Sequence, residues 1–148
     1  MARTEEIPER IKKIIAGHGW LRHLTVGEIM ETDVITINEE ATLREFDQLI
    51  TRYKHQGYPV VNEEQKTVGV ISLKDLLRVD EENWDTCRVK DRMSTCLICV
   101  SPEESIIDAV ERMTKAGIGR LLVMDGERLV GIISRSCIMD KVIKKMLV

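Results

Sequence analysis

The sequence predicts an α/β protein in which one β-α-β-β-α repeat is used twice, and three observations carry that prediction. Residues 26–79, opening Val26-Gly27-Glu28-Ile29-Met30, read in step with a second run opening Val89-Lys90-Asp91-Arg92-Met93, so that Met30 returns 63 positions later as Met93. Gly69-Val70-Ile71-Ser72 returns 62 positions later as Gly131-Ile132-Ile133-Ser134, and one loop residue between Asn62 and Thr67 accounts for the difference. Within each copy, short β-branched runs alternate with amphipathic stretches that open on capping signals. Two copies are too few for a solenoid, which needs several repeats. They suggest a pseudo-symmetric pair, and such pairs form clefts where their halves meet.

The elements follow in order. Residues 7–15 form a short amphipathic helix candidate with Ile7, Ile11, Ile14 and Ile15 on one side. Pro8 suits its first turn, and Gly17-His18-Gly19 ends it. Each copy begins with a short strand, Val34-Ile35-Thr36-Ile37 or Leu97-Ile98-Cys99-Val100. A helix opens at Thr42-x-x-Glu45 or Ser105-x-x-Asp108, where a hydroxyl accepts from a free backbone N–H and the acid suits the positive helix end. Its apolar stripe is Leu43, Phe46, Ile50 and Tyr53 in the first copy and Ile106, Ala109, Val110 and Met113 in the second. Two strands joined by a polar turn come next: Tyr58–Val61 and Val68–Ile71, then Leu121–Met124 and Leu129–Ile133, with Asp125-Gly126 as a hairpin signal. A last helix starts after Ser72 or Ser134, and the second one carries Ile138, Met139, Val142, Ile143 and Met146. Asp80-Glu81-Glu82-Asn83 has the composition of a linker. The expected divisions are therefore a helix and connector over 1–25, repeat 1 over 26–79, a linker over 80–88 and repeat 2 over 89–148.

Composition narrows the function. The chain has 148 residues and a net charge of −3 with signs mixed throughout, and no basic stripe, so nucleic-acid binding has no electrostatic support. No apolar run approaches the roughly 18 residues of a membrane span. The polar start lacks a signal-peptide core, which predicts a cytoplasmic protein, whether whole or a piece of a longer chain. Aromatics are 3% of residues, so the core is expected to be aliphatic, with the methionines as filling. Trp20 and Trp84 fall outside the repeat cores and are expected to pack flanking segments or to mediate contacts.

Cys96 and Cys99 have CxxC spacing, but a strand over Leu97–Val100 places residues three apart on opposite faces, and no second pair follows. Cys87, Cys96, Cys99 and Cys137 are read as reduced thiols and no metal is expected. His18, His23 and His55 are scattered, Ser72 has no evident base, and no P-loop occurs. No catalytic residue is assigned and no enzyme activity or catalytic cofactor is expected.

Gly57-Tyr58-Pro59-Val60-Val61, followed by Val68-Gly69-Val70-Ile71-Ser72-Leu73-Lys74-Asp75, resembles the cystathionine-β-synthase (CBS) domain, which occurs in tandem as a Bateman module. The resemblance covers residues 26–142. It implies two copies packed sheet to sheet and an adenosine-containing ligand, namely AMP, ADP, ATP or S-adenosylmethionine, held in the cleft between them through the Ser-x-x-Asp element. Asp75 would accept both ribose hydroxyls, with Ser72 near a phosphate. Thr32, Asp33 and Val34 would supply backbone groups and one wall for the adenine, and Gly57, Tyr58 and Pro59 the other. Lys54, His55 or Lys74 would reach a phosphate. Taken alone, Ser72-x-x-Asp75 is also a helix N-cap with an acid in its first turn.

The second copy departs from this pattern. Asp75 is matched by Cys137, Pro59 by Leu122 and Gly57 by Arg120, and a thiol cannot take two hydroxyls as a carboxylate does. A weaker second cleft at Leu97, Arg120, Leu121, Ser134 and Arg135 is expected. The resemblance implies a regulatory, ligand-sensing module that forms a homodimer, with a regulated partner that the sequence does not name. The competing reading is a structural dimerisation module that binds no nucleotide.

Overall fold

The computed structural model describes residues 9, 17, 19–55 and 57–146. The helix expected over 7–15, except Glu9, and His18 lie outside the described residues, as does the side chain of Met146. After a 3-10 turn at Gly19–His23 come α1 (Val26–Ile29), β1 (Ile37–Asn38), α2 (Leu43–Tyr53), β2 (Gly57–Val61), β3 (Thr67–Ser72) and α3 (Leu73–Leu77). Two further 3-10 turns, Glu81–Asn83 and Val89–Asp91, precede β4 (Cys99–Val100), α4 (Ile106–Ala116), β5 (Arg120–Asp125), β6 (Arg128–Ser134) and α5 (Arg135–Met146). The strands form two sheets of three, ordered β1-β2-β3 and β4-β5-β6. In each sheet the first strand is parallel to the middle one and the last is antiparallel to it, so the predicted α/β class and the repeated order are what the chain adopts.

The helices form for the reasons their sequences give. Thr42 Oγ1 accepts from the Glu45 N–H at 3.1 Å, and the Glu45 carboxylate accepts from the Thr42 N–H at 3.2 Å, a reciprocal capping box. Ser105 Oγ accepts from the Asp108 N–H at 3.1 Å. Both helices end in left-handed residues, Lys54 and Gly117. The opening strands are shorter than expected, two residues each in place of four. The reason lies in the path of the chain, which leaves one compact unit for the other at Val34/Ile35 and again at Leu97/Ile98.

Those two crossings define two units. One, here unit 1, contains Val34 and the described residues before it together with Ile98 and those after it; unit 2 is Ile35–Leu97. In unit 1 the sheet β4-β5-β6 is joined by the lead-in of the first copy. The Val26 N–H donates to Glu104 O at 2.8 Å, the Ile106 N–H donates to Leu24 O at 3.0 Å, and Glu31 and Ile132 exchange two backbone bonds of 2.8 and 2.9 Å. In unit 2 the sheet β1-β2-β3 is joined in the same way by the lead-in of the second copy. The Val89 N–H donates to Ala41 O at 2.8 Å, the Leu43 N–H to Cys87 O at 2.9 Å, and Ser94 and Val70 exchange bonds of 2.8 and 2.9 Å. Each compact unit is thus one copy's sheet with the other copy's lead-in.

The core of unit 1 is aliphatic, built on Leu21, Val26, Ile29, Ile106, Met113, Leu121 and Ile133. Unit 2 corrects the aliphatic expectation. Its centre is Phe46 against Tyr58, edge to face with ring centroids 5.6 Å apart, surrounded by Leu43, Val60, Ile71, Leu76 and Val89. Met139 is also a correction, since it was expected as core filling and is exposed on α5. Residues 80–88 are ordered in unit 2. The Arg44 guanidinium lies over the Trp84 ring, bonds Glu81 at 3.1 Å and Asp85 at 3.3 Å, and the Trp84 indole N–H donates to Val79 O at 2.9 Å. Trp84 packs the flanking segment onto unit 2, as its position outside the repeat suggested.

Candidate functional site

In unit 2, β3 runs into α3 at Ser72. The Ser72 N–H and hydroxyl both donate to Asp75 Oδ2, at 2.8 and 3.1 Å. Among the described residues Asp75 Oδ1 has one ion-pair partner, the Arg78 guanidinium at 3.9 Å, and the side chain is 20% exposed. The carboxylate therefore caps its own helix with one oxygen and keeps the other for a further donor. Gly57 is paired with Ser72 across β2 and β3, which sets the start of β2 beside the cap.

Tyr58 does not present its ring there. It is 1% exposed, packed on Phe46, and its hydroxyl accepts from the His55 N–H at 2.9 Å. Its neighbour Pro59 alternates to the other face of β2 and is also buried. A proline in this middle strand is tolerated because β1 pairs only with Val60 and Val61, so no ladder bond is lost. Lys74, Lys54 and His55 are exposed.

Thr32, Asp33 and Val34 were expected beside Asp75, and they belong to unit 1. Within unit 2 the corresponding place is held by Ser94, bonded to Val70 two residues before Ser72, with exposed Thr95 and Cys96 and half-buried Leu97 following. Thr95-Cys96-Leu97 match Thr32-Asp33-Val34 in the repeat. The sequence carries no mark of which copy's sheet a lead-in joins.

The second copy's residues divide likewise. Arg120, Leu121, Ser134 and Arg135 lie in unit 1, whereas Leu97 lies in unit 2. Leu121 is 1% exposed and part of the core. Arg120 is paired in register with Ser134. Arg135 donates to the Thr114 hydroxyl at 3.3 Å. Ser134 Oγ accepts from the Cys137 N–H at 3.1 Å, so the cap persists without an acid. The Cys137 thiol instead turns to Ile29 O at 3.2 Å and Glu31 Oε1 at 3.5 Å, and Lys141 Nζ donates to the same Ile29 carbonyl at 2.7 Å. Burial pushes the Cys137 thiol up, with the Lys141 ammonium opposing, and burial does the same to Cys99. Cys96 is exposed.

Among the described residues no group of three or more His, Cys, Asp or Glu side chains is placed to hold a metal ion. An open depression of about 580 Å³ runs along α4, lined by Glu104, Asp108, Glu111, Arg112, Lys115 and Ala116. It shares no residue with the predicted site, and its walls are charged where a ligand's flat base needs apolar surface. Among the described residues no helix is long and apolar enough to cross a membrane.

The sequence profile of the CBS domain matches residues 26–82 and again 89–144. The chain belongs to the CBS-domain family, as a tandem CBS pair. This pair is 37% identical over 128 residues to the uncharacterized protein MJ1232 of Methanocaldococcus jannaschii, covering 84% of this chain and 42% of that protein. The chain thus spans less than half the length of that relative. Its fold matches the CBS domain of a bacterial CNNM/CorC-family Mg2+ transporter solved with ATP, at a TM-score of 0.79 and 21% identity, covering 92% of this chain and 98% of that one. It also matches CBSX2 solved with AMP, at a TM-score of 0.75 and 25% identity, covering 83% and 98%.

Proposed function

We propose that this CBS pair is a regulatory module that binds an adenosine-containing ligand in unit 2, through Asp75 and Ser72. The observation that carries the reading is the half-committed carboxylate: Asp75 Oδ2 is held by two donors from Ser72, which fixes its orientation, while Oδ1 is left for a ligand hydroxyl. A carboxylate so held accepts charge-assisted bonds from ribose hydroxyls without having to be ordered first. The Gly57 backbone is paired with Ser72 at the same cap. The AMP bound to CBSX2 supports the ligand class.

Binding regulates only if the ligand prefers one of two states. The states are those of a homodimer. Leu77, 68% exposed on α3, and Met139, 44% exposed on α5, are apolar residues at matched positions of the two copies, and a second copy would cover them.

The test is titration calorimetry with AMP, ADP, ATP, S-adenosylmethionine and NAD on the wild type and on Asp75→Asn. Asn keeps the size of the cap and removes its charge. Saturable binding of at least one ligand, weakened by about tenfold or more in Asp75→Asn, is expected; affinity unchanged by that substitution removes the assigned site. One observation favours the second reading, a dimerisation module without nucleotide: Asp75 already has a structural task as a helix cap. A thermal melt decides between them, because a ligand of the native state must raise the midpoint. No rise with any of these compounds at millimolar concentration favours the structural module.

A further inference from the structure

The helix that carries Asp75 has little of its own to hold it. α3 is five residues long, and of these Leu76 alone is buried, while Leu73 and Leu77 are exposed. Helices below roughly 12 residues are marginal in water without outside contacts. The second copy solves the same problem differently. There α5 has 12 residues, buries Cys137, Ile138 and Val142, and is tied to Ile29 O by Lys141 at 2.7 Å. In the first copy Val79 stands where the second has Lys141, and its side chain has no donor to offer.

The end of α3 is held from the connecting segment instead. The Val79 N–H donates to Leu76 O at 3.1 Å, and the Val79 carbonyl, one turn beyond Asp75, accepts from the Trp84 indole N–H at 2.9 Å. Trp84 is fixed in turn by the first turn of α2. Its carbonyl accepts from the Arg44 N–H at 3.0 Å, and its ring centroid lies 5.2 Å from the Arg44 guanidinium. Glu81 and Asp85 hold that guanidinium over the ring. α2 itself is anchored in the core by Leu43 and Phe46. One indole N–H therefore joins the end of a short helix to a well-anchored one, and all of these residues lie in unit 2 with Asp75. The indole bond and the carboxylate occur together in this copy, and the second copy has Lys141 and Cys137 at the matching positions of its last helix.

We propose that Trp84 is a positioning residue for the unit 2 site: its bond to Val79 holds α3 in the pose that presents Asp75, so that the segment 80–88 sets ligand affinity through α3. The proposal rests on the reading of Asp75 and Ser72 as a nucleoside site, and adds to it a lever outside the repeat. The coupling is reciprocal, so a ligand on Asp75 also tightens the hold of α3 on this segment.

The experiment titrates wild type, Trp84→Phe, Asp75→Asn and the double variant with AMP and with S-adenosylmethionine, after a thermal melt has shown that each is folded. Phe keeps an apolar ring beneath Arg44 and drops the N–H. Affinity of Trp84→Phe for the ligand that wild type binds falls about fivefold, the share of one neutral hydrogen bond. In the Asp75→Asn background the same substitution costs nothing further, because the two residues act as one unit. A residue that only stabilises the fold lowers the melting midpoint and leaves the affinity of the folded protein unchanged. Arg44→Met loosens the ring and keeps the N–H; it loses affinity two- to threefold, by an order-of-magnitude reckoning, and decides the matter if Trp84→Phe does not fold. A folded Trp84→Phe, or in its place Arg44→Met, that binds as tightly as wild type overturns the proposal and leaves the Asp75 site standing. So does a loss that persists undiminished in the Asp75→Asn background. A wild-type protein that binds neither compound overturns the proposal together with the nucleoside reading.

Discussion

A methyl group has no room at Gly69 or Gly131. A Cβ on Gly69 would stand 2.6 Å from Met93 Sδ and 2.8 Å from Ser94 O; on Gly131 it would stand 2.6 Å from Met30 Sδ and 2.8 Å from Glu31 O. The methionine that opens each copy and the glycine of each second hairpin strand are therefore one device, in which a lead-in lies flat on a bare strand. Both residues were visible as repeat markers, but the methionines read only as core filling, because adjacency in space left no mark in either local pattern. Gly69→Ala is expected to cost about 1–3 kcal/mol, read as a lowered urea midpoint, since the sulfur can turn aside but the Ser94 carbonyl is backbone. Truncating the sulfur in Met93→Ala/Gly69→Ala should recover only part of the loss; full recovery would show that the carbonyl is not a barrier. The thiols separate at the same scale. Cys96 is exposed, and burial holds the Cys137 thiol protonated. Iodoacetamide on the native protein at pH 7.5, about one unit below an ordinary thiol, should label Cys96 first and Cys137 only on unfolding, as peptide mass spectrometry would show.

Among the elements, the helices were the most legible, because a capping hydroxyl and an acid three residues on are local signals, and Thr42/Glu45 and Ser105/Asp108 make the bonds those signals predict. The opening strands were less legible, since a β-branched run does not reveal where the chain departs for another unit. One contact was invisible to patterns. Glu104 accepts from the Ser101 N–H at 2.7 Å and from both terminal nitrogens of Arg112, which also bonds Cys99 O at 2.8 Å. It ties the β4–α4 turn to the second turn of α4. The first copy has Ala41 and Leu49 at the matching positions, so the repeat gave no hint of it. The Arg112 guanidinium, then the Ser101 N–H, hold the Glu104 carboxyl below the usual carboxylate range. A lowered folded-state pKa gives stability that is present above the unfolded value and lost as pH falls through the folded one. The side chains are 31% and 38% exposed, so screening keeps the contribution to about 0.5–1 kcal/mol. Glu104→Gln should therefore melt a few degrees below wild type at pH 7, with the gap closing at pH 3. A gap of equal size at both values would mean that the clamp works by shape and not by charge.

At the scale of the molecule, the repeat in the sequence and the unit in space are out of step. Duplication was legible because it is a comparison of the chain with itself. The exchange of lead-ins was not, because a lead-in that fits its own copy's sheet fits the other copy's equally well, and periodicity cannot choose between them. In unit 2 it is Ser94 that pairs with Val70, while Thr32–Val34 belong to unit 1. Two fragments test the consequence. Residues 26–82 are the first copy as the sequence repeats it; residues 35–97 are unit 2 as it folds. The first fragment lacks Val89, Trp84 and Met93 from the unit 2 core, together with the bonds from Cys87, Val89 and Ser94, and it keeps a lead-in whose own partners, Ile132 and Glu104, are missing. The second fragment keeps all of these. A chain near 60 residues is marginal even when its core is complete, so the loss of these core side chains should be decisive. Residues 35–97 should show a cooperative thermal transition and protected amides at Val70, Val89 and Ser94, and residues 26–82 should show neither. If 26–82 folds as cooperatively as 35–97, a lead-in can serve its own copy's sheet, and the exchange is a choice between near-equal partners.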